Sequence, residues 1–212
     1  MRLLPRRAVL SAGLVAATTA LARASPRADA VLDRIAAARS TVRTLRGPFT
    51  QTRTIALLAT DVRSHGLLTL VRPDRMRWEL DRPDDITFWL GPEGISFRGS
   101  HGGGRLPPSQ VRVGEALDDL RNLLGGDISH IQQRWQVTVI RDDSSGAELE
   151  AVPRVGTVTS IRRVRLALAA DLIRPTKVRV YEGEYDQTVV EFGSLVVNAP
   201  VADAEMAPSG SP

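Results

Sequence analysis

The chain of 212 residues contains no cysteine. Disulfides, thiolate chemistry and lipid attachment through an N-terminal cysteine are therefore excluded. Aromatic residues are scarce, at 4%, so an apolar interior has to be lined mainly by Val, Leu, Ile and Ala. No apolar run reaches the ~20 residues that a membrane-spanning helix needs. Catalytic patterns are missing as well. There is no G-x-S-x-G elbow for a serine nucleophile and no G-x-x-x-x-G-K-[ST] phosphate loop. His65, His101 and His130 lie far apart and share no metal-ligand spacing with acidic residues. His101-Gly102-Gly103-Gly104 has the look of an esterase oxyanion loop, but without the serine elbow it reads as a flexible loop. The acidic pairs Asp84-Asp85, Asp118-Asp119 and Asp142-Asp143 read as solvated carboxylates at turns or at a helix start. The chain is therefore expected not to be an enzyme, with no catalytic residue, no metal and no cofactor.

Charge of one sign is also less abundant than the sequence pI of 10.5 suggests. Arg2, Arg6, Arg7 and Arg23 fall within the first 24 residues, where no acidic residue occurs, and they account for the entire net charge of +4. The remaining arginines are spread along alternating segments without interleaved aromatics, which argues against nucleic-acid binding.

What is present begins with an expected export segment, residues 1–24. Arg2, Arg6 and Arg7 precede a mild apolar run from Ala8 to Leu21. Ala22-Arg23-Ala24 then offers a small-x-small cleavage pattern, with Ala28 as a second candidate. The Arg6-Arg7 pair suits a twin-arginine signal, and the ordinary secretory route remains open.

From Asp29 to Leu45 the residues Val31, Leu32, Ile35, Ala38, Val42 and Leu45 share one helical face, with Arg34, Arg39 and Arg43 off it. Gly47-Pro48 is expected to stop this helix. The period then changes to two. Strands are expected over 49–57, 64–71, 75–80, 86–90 and from Ile95, with a polar turn near Thr60-Asp61. Residues 99–110 read as a loop, and Glu115 to Leu124 as a helix with Leu117, Leu120, Leu123 and Leu124 on one side. Further strands are expected at 135–141, 147–152, 160–169, 176–182 and 187–197, followed by a flexible tail, 201–212. A meander with one apolar face must close or be covered. The expected fold is α+β: a curved antiparallel sheet under helices, with a closed barrel as the alternative.

The stretch from Leu70 to Pro83 reads Leu-Val-Arg-Pro-Asp-Arg-Met-Arg-Trp-Glu-Leu-Asp-Arg-Pro. With Phe49-Thr50-Gln51 and Gly66-Leu67-Leu68 upstream and Gly94-Ile95-Ser96-Phe97 downstream, it closely resembles the periplasmic outer-membrane lipoprotein carrier (LolA-like) family. That family shows F-T-Q, then G-x-L-x-L, then R-P-x-x-F-R-W-E with a later Pro. The resemblance covers roughly 29–200, and its specific part lies within 47–98. Met76 and Leu80 stand where aromatics are common, and the Gly102–Gly104 run departs from the pattern, which marks a divergent member.

The resemblance implies an incomplete β-barrel of about eleven strands with helices forming a lid. It implies an acyl-binding cavity that would include Phe49, Leu68, Leu70, Met76, Trp78, Leu80, Phe88 and Phe97. Arg72 would hold the lid by hydrogen bonds to helix backbone, with Leu117, Leu120, Leu123 and Leu124 on the lid itself. On pattern alone Met76, Trp78 and Leu80 are core residues of any β-domain, and Arg72 is a strand-end charge. The implied function is that of a monomeric periplasmic carrier of lipoprotein acyl chains from inner to outer membrane. Its implied partners are acylated cargo, an inner-membrane ATP-binding-cassette extractor and an outer-membrane acceptor lipoprotein. The alternatives are a carrier of another envelope lipid or glycolipid, and a lipoprotein or lipid sensor on the same half-barrel.

Overall fold

Strict alternation of apolar and polar residues leaves a strand with one face that must be buried. That pattern recurs along most of this chain. In the computed structural model, which describes residues 26–55, 60–106, 111–125, 128–157, 159–183 and 185–208, the strands assemble into one antiparallel sheet. The first half contributes β1 (Thr44–Ile55), β2 (Thr60–Val71), β3 (Arg75–Leu80), β4 (Ile86–Gly91), β5 (Gly94–Gly99) and β6 (Gly102–Arg105). The second contributes β7 (Trp135–Asp143), β8 (Gly146–Pro153), β9 (Arg163–Leu168), β10 (Pro175–Tyr181), β11 (Gln187–Phe192) and the short β12 (Val196–Val197). Three helices accompany them: α1 (Pro26–Arg39), α2 (Val111–Gly125) and α3 (Ile128–Arg134).

The spatial order is β6-β5-β4-β3-β2-β1-β11-β10-β9-β8-β7, with β12 beside β1. Each half is a meander, and the two are joined where β1 pairs with β11 in the register Phe49↔Phe192. Strands β6 and β7 form the two edges and do not pair, so the sheet stays open and the alternative of a closed barrel is excluded. In the chain, α2 and α3 lie between those two edge strands.

One face of the sheet carries the core. Leu68, Leu70, Met76, Trp78, Leu90, Val164, Leu166, Leu168, Val178 and Val190 are all buried there. The opposite face carries the intervening charges, paired within and across strands as Arg77–Glu79, Arg165–Glu150 and Lys177–Glu191. Helix α1 lays Val31, Leu32 and Ile35 into the core, and α2 adds Leu120, Leu123 and Leu124.

Several expectations are corrected. The first helix stops at Arg39 rather than Leu45, and Leu45, Gly47 and Pro48 all belong to β1. Extended backbone there is enforced by the twelve-residue ladder from Thr44↔Val71 to Ile55↔Thr60, a tertiary pairing that local helical spacing cannot register. Thr60 and Asp61 open β2 instead of forming a turn, and residues 56–59 lie outside the described residues. The glycine run 102–104 is edge strand β6, paired with β5, and not loop. A Cβ at Gly103 would sit 2.6 Å from the Phe97 carbonyl, so the small residue permits the close pairing. Helix α3 was not anticipated. Residues 107–110 and the expected export segment 1–24 lie outside the described residues.

The expected flexible tail is docked over residues 203–206, which form a single 3-10 turn. Its Glu205 pairs with Arg46 at 2.9 Å, and the Glu205 carbonyl accepts a 3.1 Å hydrogen bond from the Trp89 indole. Asp203 meets Arg75 at 3.1 Å. Residues 209–212 are outside the described residues.

Candidate binding site beneath the helices

The inner face holds an aromatic group at the centre of the sheet. Phe49 stacks on Trp78 with ring centroids 3.9 Å apart, and Phe192 meets both rings edge-on. Trp78 is the cross-strand partner of Leu68 on one side and of Phe88 on the other, and Phe88 in turn faces Phe97. Met76 lies between Leu70 and Leu90 in the same rows. The residues expected to line a cavity therefore do share one face. Phe49, Leu68, Leu70, Met76 and Trp78 are fully buried there, while Leu80, Phe88 and Phe97 are half-buried.

The space on that face is unevenly distributed. An open cavity of about 530 Å³ lies over the end of β1, the end of β10 and the start of β11. Trp78, Leu117, Leu120, Val180 and Val190 give it apolar walls. Arg53, Glu182, Asp186 and Thr188 add polar groups, with Arg53 and Glu182 3.9 Å apart. Of the residues predicted as lining or lid, Trp78, Leu117 and Leu120 face this cavity. Phe49, Leu68 and Met76 instead pack in the core beside it. The walls from β10 and β11 were missed, because the contact of β1 with β11 joins segments that strand alternation alone cannot match up.

Toward the other end the helices sit tightly on the sheet. Leu70, Arg72 and Leu124 border a crevice of about 10 Å³, and Leu123 borders a separate pocket of about 20 Å³. Backbone-directed arginines fasten the helices here. Arg72, just past β2, donates from Nη1 to the Arg39 carbonyl at the end of α1. Arg39 donates from Nη1 to the Leu123 carbonyl of α2 at 3.2 Å. Arg121 of α2 donates to the Asp74 carbonyl at 2.6 Å. Each donor ties a backbone carbonyl of one element to another element, and the Arg39 carbonyl also accepts from the Val42 N–H at 3.1 Å.

Two residues read from the sequence as solvated are buried. Arg39 is 5% exposed. It follows Leu32 and Ile35 at the i+7 and i+4 positions, so its spacing put it on the apolar stripe and its charge alone had placed it off. Burial first, and then the nearby Arg72, bring its pKa down to about 10. Asp119 is 1% exposed on α2, facing α3. Arg134 Nη1 comes within 3.1 Å of its Oδ1, off the line of a hydrogen bond, and Thr159 donates to Oδ2 at 3.4 Å. Burial pushes the Asp119 carboxyl up, opposed mainly by Arg134. Its partners come from a helix and a loop that alternation did not reveal. Among the described residues, no three or more His, Asp or Glu side chains are grouped so as to hold a metal ion.

The stretch from Phe49 to Trp78, with Phe49 opposite Gly66 and Arg72 reaching α1, lies within the part of the chain that matches a known family. The profile of the family described as outer membrane lipoprotein carrier protein LolA matches residues 40–88. An outer-membrane lipoprotein carrier protein of Coxiella burnetii (strain CbuK_Q154) is 25% identical over 146 residues, covering 66% of this chain and 64% of its own length. Over these residues the chain is similar to the LolA family, at a distance that marks it as divergent.

The chain spans 64% of the length of that curated relative. Two solved structures share the fold described here. A putative outer membrane lipoprotein-sorting protein domain from Vibrio parahaemolyticus has a TM-score of 0.50 at 11% identity, over 85% of this chain and 96% of its own. A DUF1329 family protein from Desulfovibrio piger has a TM-score of 0.52 at 12% identity, over 86% and 98%. At such identities the likeness is one of fold alone.

Proposed function

We propose that this LolA-like chain is a periplasmic carrier that shields the acyl chains of lipoproteins and moves them from the inner to the outer membrane. The observation that carries the reading is the 530 Å³ cavity on the inner face of an open sheet, walled by Trp78, Leu117 and Leu120. Its size lies within the range of about 300–1,000 Å³ usual for ligand sites.

The physical problem such a carrier answers is one of magnitude. A triacylated anchor has on the order of 45 methylenes, each worth about 0.8 kcal/mol on leaving water. Unaided crossing of an aqueous compartment is not feasible at that cost. Release demands that the empty carrier cover its own apolar lining, so that lid and cargo compete and the difference alone appears as affinity. Helices α1 and α2 are that cover in this reading, and Arg72 biases it toward closure. An ATP-driven inner-membrane extractor would load the carrier and an outer-membrane acceptor would unload it, so no cofactor is called for. A carrier of a smaller amphiphile is the second reading, favoured by Arg53, Glu182 and Asp186 in the cavity wall, which suit a polar headgroup.

Native mass spectrometry of protein isolated from its own envelope separates the two, through the mass of the bound species. An Arg72→Leu variant should stay folded by circular dichroism yet load or release acylated cargo differently in a reconstituted transfer assay. Unaltered transfer would remove Arg72 from the lid mechanism, and an empty cavity in protein freshly isolated would sink the carrier reading.

A further inference from the structure

The small pocket beneath the helices holds an oddity that lipoprotein carriage does not use. It measures about 20 Å³ and is bounded by apolar residues from α1, α2, α3 and strands β7 to β9, together with one charged group, Arg39. The Arg39 Nη1 is engaged by the Leu123 carbonyl. Among the described residues its Nε and Nη2, both buried, have no hydrogen-bond partner. Leaving such donors unpaired away from water is costly, so buried polar groups without partners call for an explanation.

We infer that Arg39 is the oxyanion end of a subsite beneath the lid, which takes the carboxylate of a single long-chain fatty acid. The inference rests on the carrier reading and narrows one class of ligand within it.

Three features support the assignment. Nε and Nη2 form one edge of the guanidinium, two parallel N–H groups whose spacing matches the two oxygens of a carboxylate. The other walls of the pocket that Arg39 borders, including Leu32, Leu149, Val164 and Leu166, are apolar and suit a hydrocarbon chain. Among the described residues, no carboxylate is bonded to Arg39. The acidic group that acts on Arg39 is Asp171, which is already bound by Arg174 Nε at 2.6 Å and by the Ile173 and Arg174 backbone N–H groups. Arg72 adds a second positive charge nearby. With a pKa of about 10, Arg39 remains a cation at neutral pH.

A space of about 20 Å³ holds little more than a water-sized group and no acyl chain. The chain must therefore enter as α2 lifts. Leu120 borders the open cavity and Leu123, three residues on, borders the small pocket, so α2 touches both spaces.

Equilibrium binding of radiolabelled palmitate and methyl palmitate to the full-length protein tests the inference, with acetate as the competitor that lacks a chain. Palmitate should bind at least about 10-fold more tightly than its ester, since a charge-assisted bidentate contact is lost in the ester. In Arg39→Met that preference should fall to within about twofold, and Arg39→Lys, which keeps the charge without the fork, should lie between. Arg39→Met removes a buried charge together with the hydrogen bond to the Leu123 carbonyl, so Arg39→Gln, which keeps an N–H donor for that carbonyl without the charge, is measured beside it, and the acid preference should be lost in both. Equal binding of acid and ester, an acid preference that survives Arg39→Met, or competition by acetate as effective as by palmitate would each overturn the subsite while leaving the carrier reading intact. Failure of the protein to bind either palmitoyl ligand would remove both.

Discussion

The ring of Phe49 lies over Gly66, its cross-strand partner, so closely that a Cβ added at Gly66 would come within 2.7 Å of the ring and 1.8 Å of the Glu79 carbonyl. Two short motifs seventeen positions apart in the chain are thus one packing unit. Glycine at 66 lets three strands and an aromatic ring approach each other at one point.

Gly66→Ala should therefore destabilise the fold, although alanine is otherwise well tolerated in a strand. The added methyl has backbone against it and cannot be relieved by a rotamer change. The expected loss is about 1–3 kcal/mol or more in urea unfolding, as for overpacked cores. A variant as stable as the parent would mean that β2 and β3 can part without cost.

Phe49→Ala removes the ring that stacks on Trp78 at 3.9 Å and that covers Gly66. A cost of about 3–5 kcal/mol is expected, typical of a buried aromatic. Trp78 emission should shift to longer wavelength in the folded variant, since the indole loses its apolar cover. An unshifted spectrum with parental stability would contradict the stack.

Asp119 gives a pH dependence whose sign can be worked out. Burial raises its pKa in the folded protein. From the ordinary carboxylate value near pH ~4 upward, the folded chain then holds this proton longer than the unfolded chain does. Its contribution to stability is fully present below the unfolded value and is lost as pH rises through the folded one. Asp119→Asn, which stays neutral, should match the parent in acid and exceed it at neutral pH when both are compared by urea unfolding. A variant less stable than the parent at neutral pH would show that attraction to Arg134 outweighs burial.

Truncation after Pro200 removes the turn that carries Glu205. Trp89 then loses its hydrogen bond to the Glu205 carbonyl, and Arg46 loses a partly exposed partner. Such exposed ion pairs are worth about 1 kcal/mol or less, so the melting temperature should fall by a few degrees at most. Iodide should quench the newly exposed Trp89. Unchanged quenching would show that residues 201–208 do not cover that indole.

Strand alternation made the sheet legible wherever a strand has one dry face, as at Met76, Trp78 and Leu80, where the intervening Arg77 and Glu79 pair on the wet side. It failed at both kinds of exception. Leu45 and Pro48 carried helical spacing or a stop signal, and pairing with β2 overrode both. The glycines of β6 carry no alternation at all, having no side chains to alternate. At the candidate site Trp78, Leu117 and Leu120 were legible as apolar positions. Whether each would face open space or packed core was not, because a free wall and a filled one call for the same residue types.

The amino-acid order alone determined that the chain forms a mainly antiparallel sheet with apolar helices to cover it, without disulfides and with the LolA-like signature between residues 47 and 98. Periodicity and short-range spacing suffice for that, since they report which side of each element water leaves. The tertiary structure decided which strands meet, that β6 and β7 stay apart, where the cavity opens, and that Arg39 and Asp119 are buried. Those outcomes depend on contacts between segments far apart in the chain, and no local pattern records what will come to lie opposite a given side chain.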